Sequence, residues 1–269
     1  MPRADNGGVA VAYEERGRDP ADAGTVVLCE GLGYGRWMWN WQADALADDY
    51  HLLLWDNRGT GDSEEPEGPY TVPELAADLE AVLADADVEE AHVVGASMGG
   101  MVAQRYAIEY DRARSLALLC TSPGGPDAHP TPESTLARMF SVPDDADERE
   151  AIRHRMAPAM SDGFPEANDA LVSDVVDWRL ESDASDAARE AQAAAVAAFD
   201  AGDELGSLDL PVLVAHGTAD RVVPVENADL LAERLPHATV EYVEGGSHLF
   251  FVENSRRVND LLLGFLADA

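Results

Sequence analysis

Short apolar runs recur along the chain at Gly8–Tyr13, Thr25–Cys29, His51–Trp55, Ala91–Gly95, Ser115–Cys120, Val212–His216 and Thr239–Val243. Runs this short with little polar alternation read as strands buried on both faces. Between most of them the apolar residues fall at helical spacing, so strands and helices alternate. That alternation predicts an α/β fold with a mostly parallel central sheet covered by helices on both faces. One helix start is explicit: Thr71-Val72-Pro73-Glu74 has the form of a capping box. It predicts a helix through Ala84 with Val72, Leu75, Leu79, Val82 and Leu83 as its inner stripe.

The rhythm fails between Cys120 and Pro211. Pro123-Gly124-Gly125-Pro126, followed by Pro130 and Pro132, forms a linker that neither a helix nor a central strand tolerates. Beyond it the pattern is helical but weakly amphipathic, including the alanine-rich stretch Ala187–Ala201, until Gly202. The expected organisation is a core of residues 1–123 and 207–269 with a helical cap inserted at 124–206. Such a cap would cover the sheet edge at which open α/β sheets bind ligands.

Charge changes the picture of the surroundings more than of the fold. The 269 residues include 52 Asp and Glu against 18 basic residues, all of them Arg, for a net charge of −34. Like charge opposes nucleic acid or an anionic membrane as a partner. The carboxylates are spread from Asp19 to Asp268 rather than clustered. Spread acidity without lysine fits molar salt, where the Debye length shrinks to about 3 Å, better than it fits a cationic partner. The first residues are polar and no apolar run approaches membrane-spanning length, so a soluble, cytoplasmic protein in a high-salt cell interior is expected. Cys29 and Cys120 fall near the ends of strands separated by a third, about 10 Å apart, and are expected as core residues rather than a disulfide.

Chemistry enters at Gly95-Ala96-Ser97-Met98-Gly99, which joins a strand directly to a helix. A serine hydroxyl is a weak nucleophile and needs a base within reach and a nearby donor for an oxyanion. Small residues at 95 and 99 permit a turn tight enough to raise it clear of the sheet. Asp220 follows the strand Val212–His216, and His248 follows Thr239–Val243. Parallel strands end together, so Ser97, Asp220 and His248 are expected at one sheet edge. Separately, Asp220 would read as a turn aspartate and His248 as a helix-start histidine.

Other chemistries fit less well. Gly31-Leu32-Gly33-Tyr34-Gly35-Arg36 follows a strand but carries Arg36 where a dinucleotide fingerprint needs a small residue. The seven histidines are scattered without ligand spacing, so neither metal nor cofactor is expected. Trp37, Trp39, Trp41, Trp178, Met156 and Met160 are expected mostly in packing, with some lining an apolar pocket. Arg58 and Asp62 are expected to brace their own loop, and His216 to be structural.

The elbow Gly95–Gly100, the segment Asp56–Ser63, His216–Asp220 with Pro224, and Gly246-Ser247-His248 together resemble the α/β-hydrolase superfamily over essentially the whole chain. Gly68-Pro69-Tyr70-Thr71 and Leu118-Leu119-Cys120-Thr121 are similar to its 3-oxoadipate enol-lactonase and cofactor-free haloperoxidase-like branch. The resemblance implies Ser97 as nucleophile, His248 as base and later acid, Asp220 as its orienter, and the backbone N–H groups of Leu32 and Met98 as the oxyanion hole. One departure is Glu30, standing before Gly31 where most relatives carry His. The implied activity is hydrolysis of a small ester or lactone. Cleavage of a C–C bond or perhydrolysis on the same triad stays open, as does a non-catalytic ligand-binding protein. The oligomeric state, monomer or homodimer, also stays open.

Overall fold

The computed structural model describes residues 1–269. Its strands are β1 (Arg3–Asn6), β2 (Val9–Gly17), β3 (Thr25–Cys29), β4 (His51–Trp55), β5 (Ala91–Ala96), β6 (Ala113–Leu119), β7 (Val212–Gly217) and β8 (Ala238–Val243). They form one sheet in the order β1-β2-β4-β3-β5-β6-β7-β8. β1 and β2 run antiparallel, and every pairing from β4 to β8 is parallel. β5 therefore lies between β3 and β6, and Cys29 and Cys120 are both buried and unbridged.

β1 has no counterpart in the apolar pattern because its residues, Arg-Ala-Asp-Asn, sit at a sheet edge where most face water. Its local signal is the turn. Gly7 and Gly8 have φ of 64° and 100° between the paired residues Asn6 and Val9, the positive-φ geometry of a tight hairpin.

The central strands alternate sides: Val27, Leu53 and Val93 join one apolar cluster, and Leu28, Leu54 and Val94 the other. The first cluster is closed by α2 (Val72–Asp85), α3 (Met98–Glu109) and α9 (Glu226–Arg234), the second by α1 (Asn40–Leu46) and α11 (Ser255–Asp268), with the short α10 (Phe250–Glu253). α2 begins as expected: Thr71 caps it, bonded reciprocally with Glu74, and Val72, Leu75, Leu79, Val82 and Leu83 are buried.

Five helices separate β6 from β7: α4 (Glu133–Phe140), α5 (Glu148–Met156), α6 (Phe164–Ala167), α7 (Asp169–Ser182) and α8 (Asp186–Ala198). α8 packs Ala191 and Ala195 on the first cluster, whereas α5 and α7 pack Ile152, Met156, Val172 and Val176 on the second. A segment that contributes to the cores on both sides of a sheet has to pass over the sheet's edge.

Candidate active site

Ser97 sits between the end of β5 and the first turn of α3 with φ 55° and ψ −118°, a conformation that non-glycine residues adopt only under constraint. The constraint is crowding. A Cβ on Gly99 would stand 2.0 Å from the Cys29 carbonyl oxygen, and one on Gly95 would stand 2.2 Å from the Gly99 oxygen. Only hydrogen fits at either place, as the sequence requires. The backbone around the serine is pinned by Ser97 N–H donating to Leu119 O at 2.9 Å and by the Thr121 hydroxyl donating to Ser97 O at 2.7 Å.

Beyond β7, the Asp220 carboxyl is buried, and its Oδ1 accepts the N–H groups of Val222 and Val223 at 2.7 and 3.0 Å. Its Oδ2 lies 2.7 Å from His248 Nδ1 and 3.3 Å from His216 Nε2. Burial alone would raise the Asp220 carboxyl, but His248 and His216 beside it hold it well below the usual carboxylate range. An ionised carboxylate can only accept, so Nδ1 is the donor of this contact, and in the neutral imidazole that tautomer leaves the Nε2 lone pair free. The structure thus brings Asp220 and His248 into contact and leaves the Ser97 hydroxyl without a hydrogen bond to His248, at the same edge of the sheet. Cys120 stands between, with its N–H on Ala215 O and its thiol pushed up by burial, with the Asp220 charge next to it. His216 has the structural part expected of it, since its Nε2 also bonds Val223 O at 2.9 Å and so holds the Asp220 turn closed.

Glu30-Gly31-Leu32-Gly33 leaves β3 toward this edge. Gly31 N–H meets Met38 Sδ at 3.1 Å and Gly33 N–H donates to Gln192 Oε1 at 2.7 Å. Leu32 N–H, between them, meets no protein acceptor, and neither do the N–H groups of Met98 and Gly99 at the start of α3. Gln192 was hidden in the alanine-rich stretch of α8, where it is fully buried and also donates to Arg58 O and Thr60 Oγ1, each at 3.0 Å. A lone uncharged amide among alanines was its only sequence signal. Arg58 and Asp62 brace their loop as expected, Arg58 through Asp78 at 2.6 and 2.8 Å and Asp62 through Arg36 at 3.0 Å.

The tryptophans divide. Trp39 is core, packed against Phe251, while Trp37 and Trp41 meet Trp178 of α7 with ring centroids 5.9 and 6.0 Å apart. Tyr34 joins this cluster, with the Arg179 guanidinium 4.5 Å above its ring, and Arg179 in turn pairs with Asp183 at 2.6 Å. The Gly31–Arg36 turn holds Arg36 in an ion pair with Asp56 at 3.1 Å. No three His, Cys, Asp or Glu side chains converge in a metal-ligating arrangement, and no helix is long and apolar enough to cross a membrane.

A family model described as alpha/beta hydrolase fold matches residues 24–255. The chain belongs to the α/β-hydrolase fold family. Among its relatives, this α/β hydrolase is 30% identical to a protein of Azorhizobium caulinodans provisionally named carbamate hydrolase RutD, over 100% of this chain and 99% of that one. It is 29% identical to 3-oxoadipate enol-lactonase 2 of Acinetobacter baylyi, over 93% and 91% of the two chains. The crystal structure of the enol-lactonase from Burkholderia xenovorans LB400 superposes with a TM-score of 0.84 at 26% identity, covering 99% of this chain and 100% of that one. Relatives of this α/β hydrolase are thus named hydrolases, and hydrolysis is the class of reaction they support for it.

Proposed function

We propose that the chain is a serine hydrolase that cleaves a small ester or lactone through an acyl-enzyme. The observation that carries this reading is the Asp220–His248 contact of 2.7 Å, at the sheet edge on which the constrained turn presents Ser97. The names of the enol-lactonase relatives support the substrate class. In this reading Ser97 Oγ attacks the carbonyl carbon while His248 Nε2 takes the hydroxyl proton, and Asp220 steadies the imidazolium. The oxygen of the tetrahedral intermediate receives the free N–H groups of Leu32 and Met98. His248 then hands its proton to the departing alkoxide, water repeats the attack with His248 as base, and the acid leaves. The same chemistry needs no cofactor.

Residues 124–206 serve as a cap whose α7 and α8 face the loop carrying Leu32, a reading supported by the Gln192–Gly33 bond and the Trp37–Trp178 stack. The spread acidity, with a net charge of −34, suits a cytoplasm of molar salt. A fluorophosphonate probe tests the enzyme reading in molar potassium chloride. Labelling is expected on the wild type and absent in Ser97→Ala, together with a loss of about 10⁴-fold in kcat on a panel of esters, lactones and C–C substrates. An unlabelled wild type would instead identify a ligand-binding protein on a hydrolase frame.

A further inference from the structure

We propose that Glu30 is a positioning residue that works as an uncharged carboxylic acid, clamping the loop that carries the Leu32 N–H onto Asn57, and that loss of its proton takes that N–H out of alignment. The inference rests on the reading of Leu32 and Met98 as the oxyanion donors.

The surroundings of the side chain hold nothing that would balance a charge on it. Glu30 is 0% exposed, and no Arg or His stands within ion-pair distance of it. Its Oε2 takes both Asn57 donors, the main-chain N–H at 3.2 Å and Nδ2 at 3.3 Å, while its Oε1 is buried without a partner. The charged groups acting on it are Asp56, Arg36 and Asp183. Arg36 is engaged by Asp56 at 3.1 Å and by Asp62 at 3.0 Å, and Asp183 is paired with Arg179 at 2.6 Å. A buried carboxylate with one bare oxygen and no counter-charge is costly, and protonation removes the charge. Consistent with this, burial and then the Asp56 charge push the Glu30 carboxyl well above its usual range, against the pull of Asn57 N–H and Arg36.

The main chain of residue 30 connects this acid to both candidate donors. Leu32 lies two residues onward in the same loop. On the other side, a Cβ on Gly99 would meet Glu30 O at 2.6 Å, so the first turn of α3, which carries Met98, rests directly on Glu30. Asn57 Nδ2 also reaches Glu30 O, at 3.4 Å. Ionised, the side chain would keep the attraction of the Asn57 donors but place a buried charge against Asp56 and Asp183 with no free cation, a cost that draws the carboxylate, and the loop with it, out of this position.

The test compares pH–rate profiles of wild type, Glu30→Gln and Glu30→Ala, with an infrared measurement of the protonated carboxyl band. Glutamine reproduces the neutral acid and cannot ionise. It is expected to keep kcat within about threefold at neutral pH and to lack the alkaline fall of the wild type. Alanine is expected to lower kcat by about 10²-fold with little change in KM, as for a misaligned oxyanion donor. The infrared band of a buried protonated acid is expected in the wild type at neutral pH and is lost in Glu30→Gln. A glutamine variant as impaired as alanine, an alkaline fall that persists in it, or an unchanged infrared band overturns the proposal. Should alanine fail to fold, the wild type and glutamine decide. Activity that survives Ser97→Ala would defeat the hydrolase reading instead and leave the infrared result standing.

Discussion

Gln192 of α8 accepts the main-chain N–H of Gly33 at 2.7 Å, so a helix of the inserted segment holds the loop on which Leu32 stands. The two residues are 159 positions apart, and the same amide reaches the carbonyl of Arg58. A change that empties this contact leaves Gly33 N–H buried and unpaired. Gln192→Ala is expected to cost about 1–3 kcal/mol in stability and to lower kcat by about tenfold or more, read by melting and steady-state kinetics. Unchanged kinetics with lowered stability would confine Gln192 to holding the fold.

Asp220→Asn tests the orienting role separately from the nucleophile. The amide keeps the shape of the turn but offers a donor where His248 needs an acceptor, favouring the wrong tautomer. A fall of about 10⁴-fold in kcat is expected with the circular dichroism unchanged. A loss below about tenfold would remove Asp220 from the mechanism.

Gly99→Ala probes the crowding behind the elbow. Its Cβ would lie 2.0 Å from Cys29 O, against the backbone of Cys29 and Glu30 with no flexible side chain to yield. Destabilisation by at least about 3 kcal/mol, or failure to accumulate soluble protein, is expected. A variant with wild-type melting and activity would show that β3 and α3 can move apart.

His92 supplies an acid-sensitive contribution to stability. Burial, then the charge of Arg114, lowers its pKa from 6.5 to about 4, and its Nδ1 pairs with Ser115 Oγ at 2.7 Å. Between those two values the unfolded chain binds a proton that the folded chain does not. Stability is therefore full above pH 6.5 and falls as pH drops toward about 4. Melting curves across that window should flatten in His92→Gln, and a variant that keeps the wild-type slope would assign the acid sensitivity to other groups.

Self-repulsion predicts the response to salt. With a net charge of −34, the midpoint of thermal unfolding is expected to rise with potassium chloride concentration as screening shortens the range of the field. A midpoint independent of salt would return the acidity to a cationic partner.

Much of the frame was legible in the residues. A strand buried on both faces is mostly apolar, so β3 to β7 announced themselves, and the capping box located the start of α2. The tight turn at Ser97 was legible too, because only glycine fits at 95 and 99. β1 was not, since an edge strand exposed to water carries no apolar signal. Glu30 was visible as a departure, but its missing counter-charge was not, because Arg36 is drawn away by Asp56 and Asp62, partners distant along the chain.

The residues alone were enough to mark the inner strands of the sheet, the place of the sharp turn, and the positions of Ser97, Asp220 and His248 just after strands running the same way. These are properties of single elements, set by burial and local sterics. Tertiary structure decided which oxygen of Asp220 meets His248, that Gln192 reaches Gly33, and that Glu30 is enclosed without a cation. Those facts depend on the relative placement of elements, and a contact between side chains from different elements exists only once packing has set the distance between them.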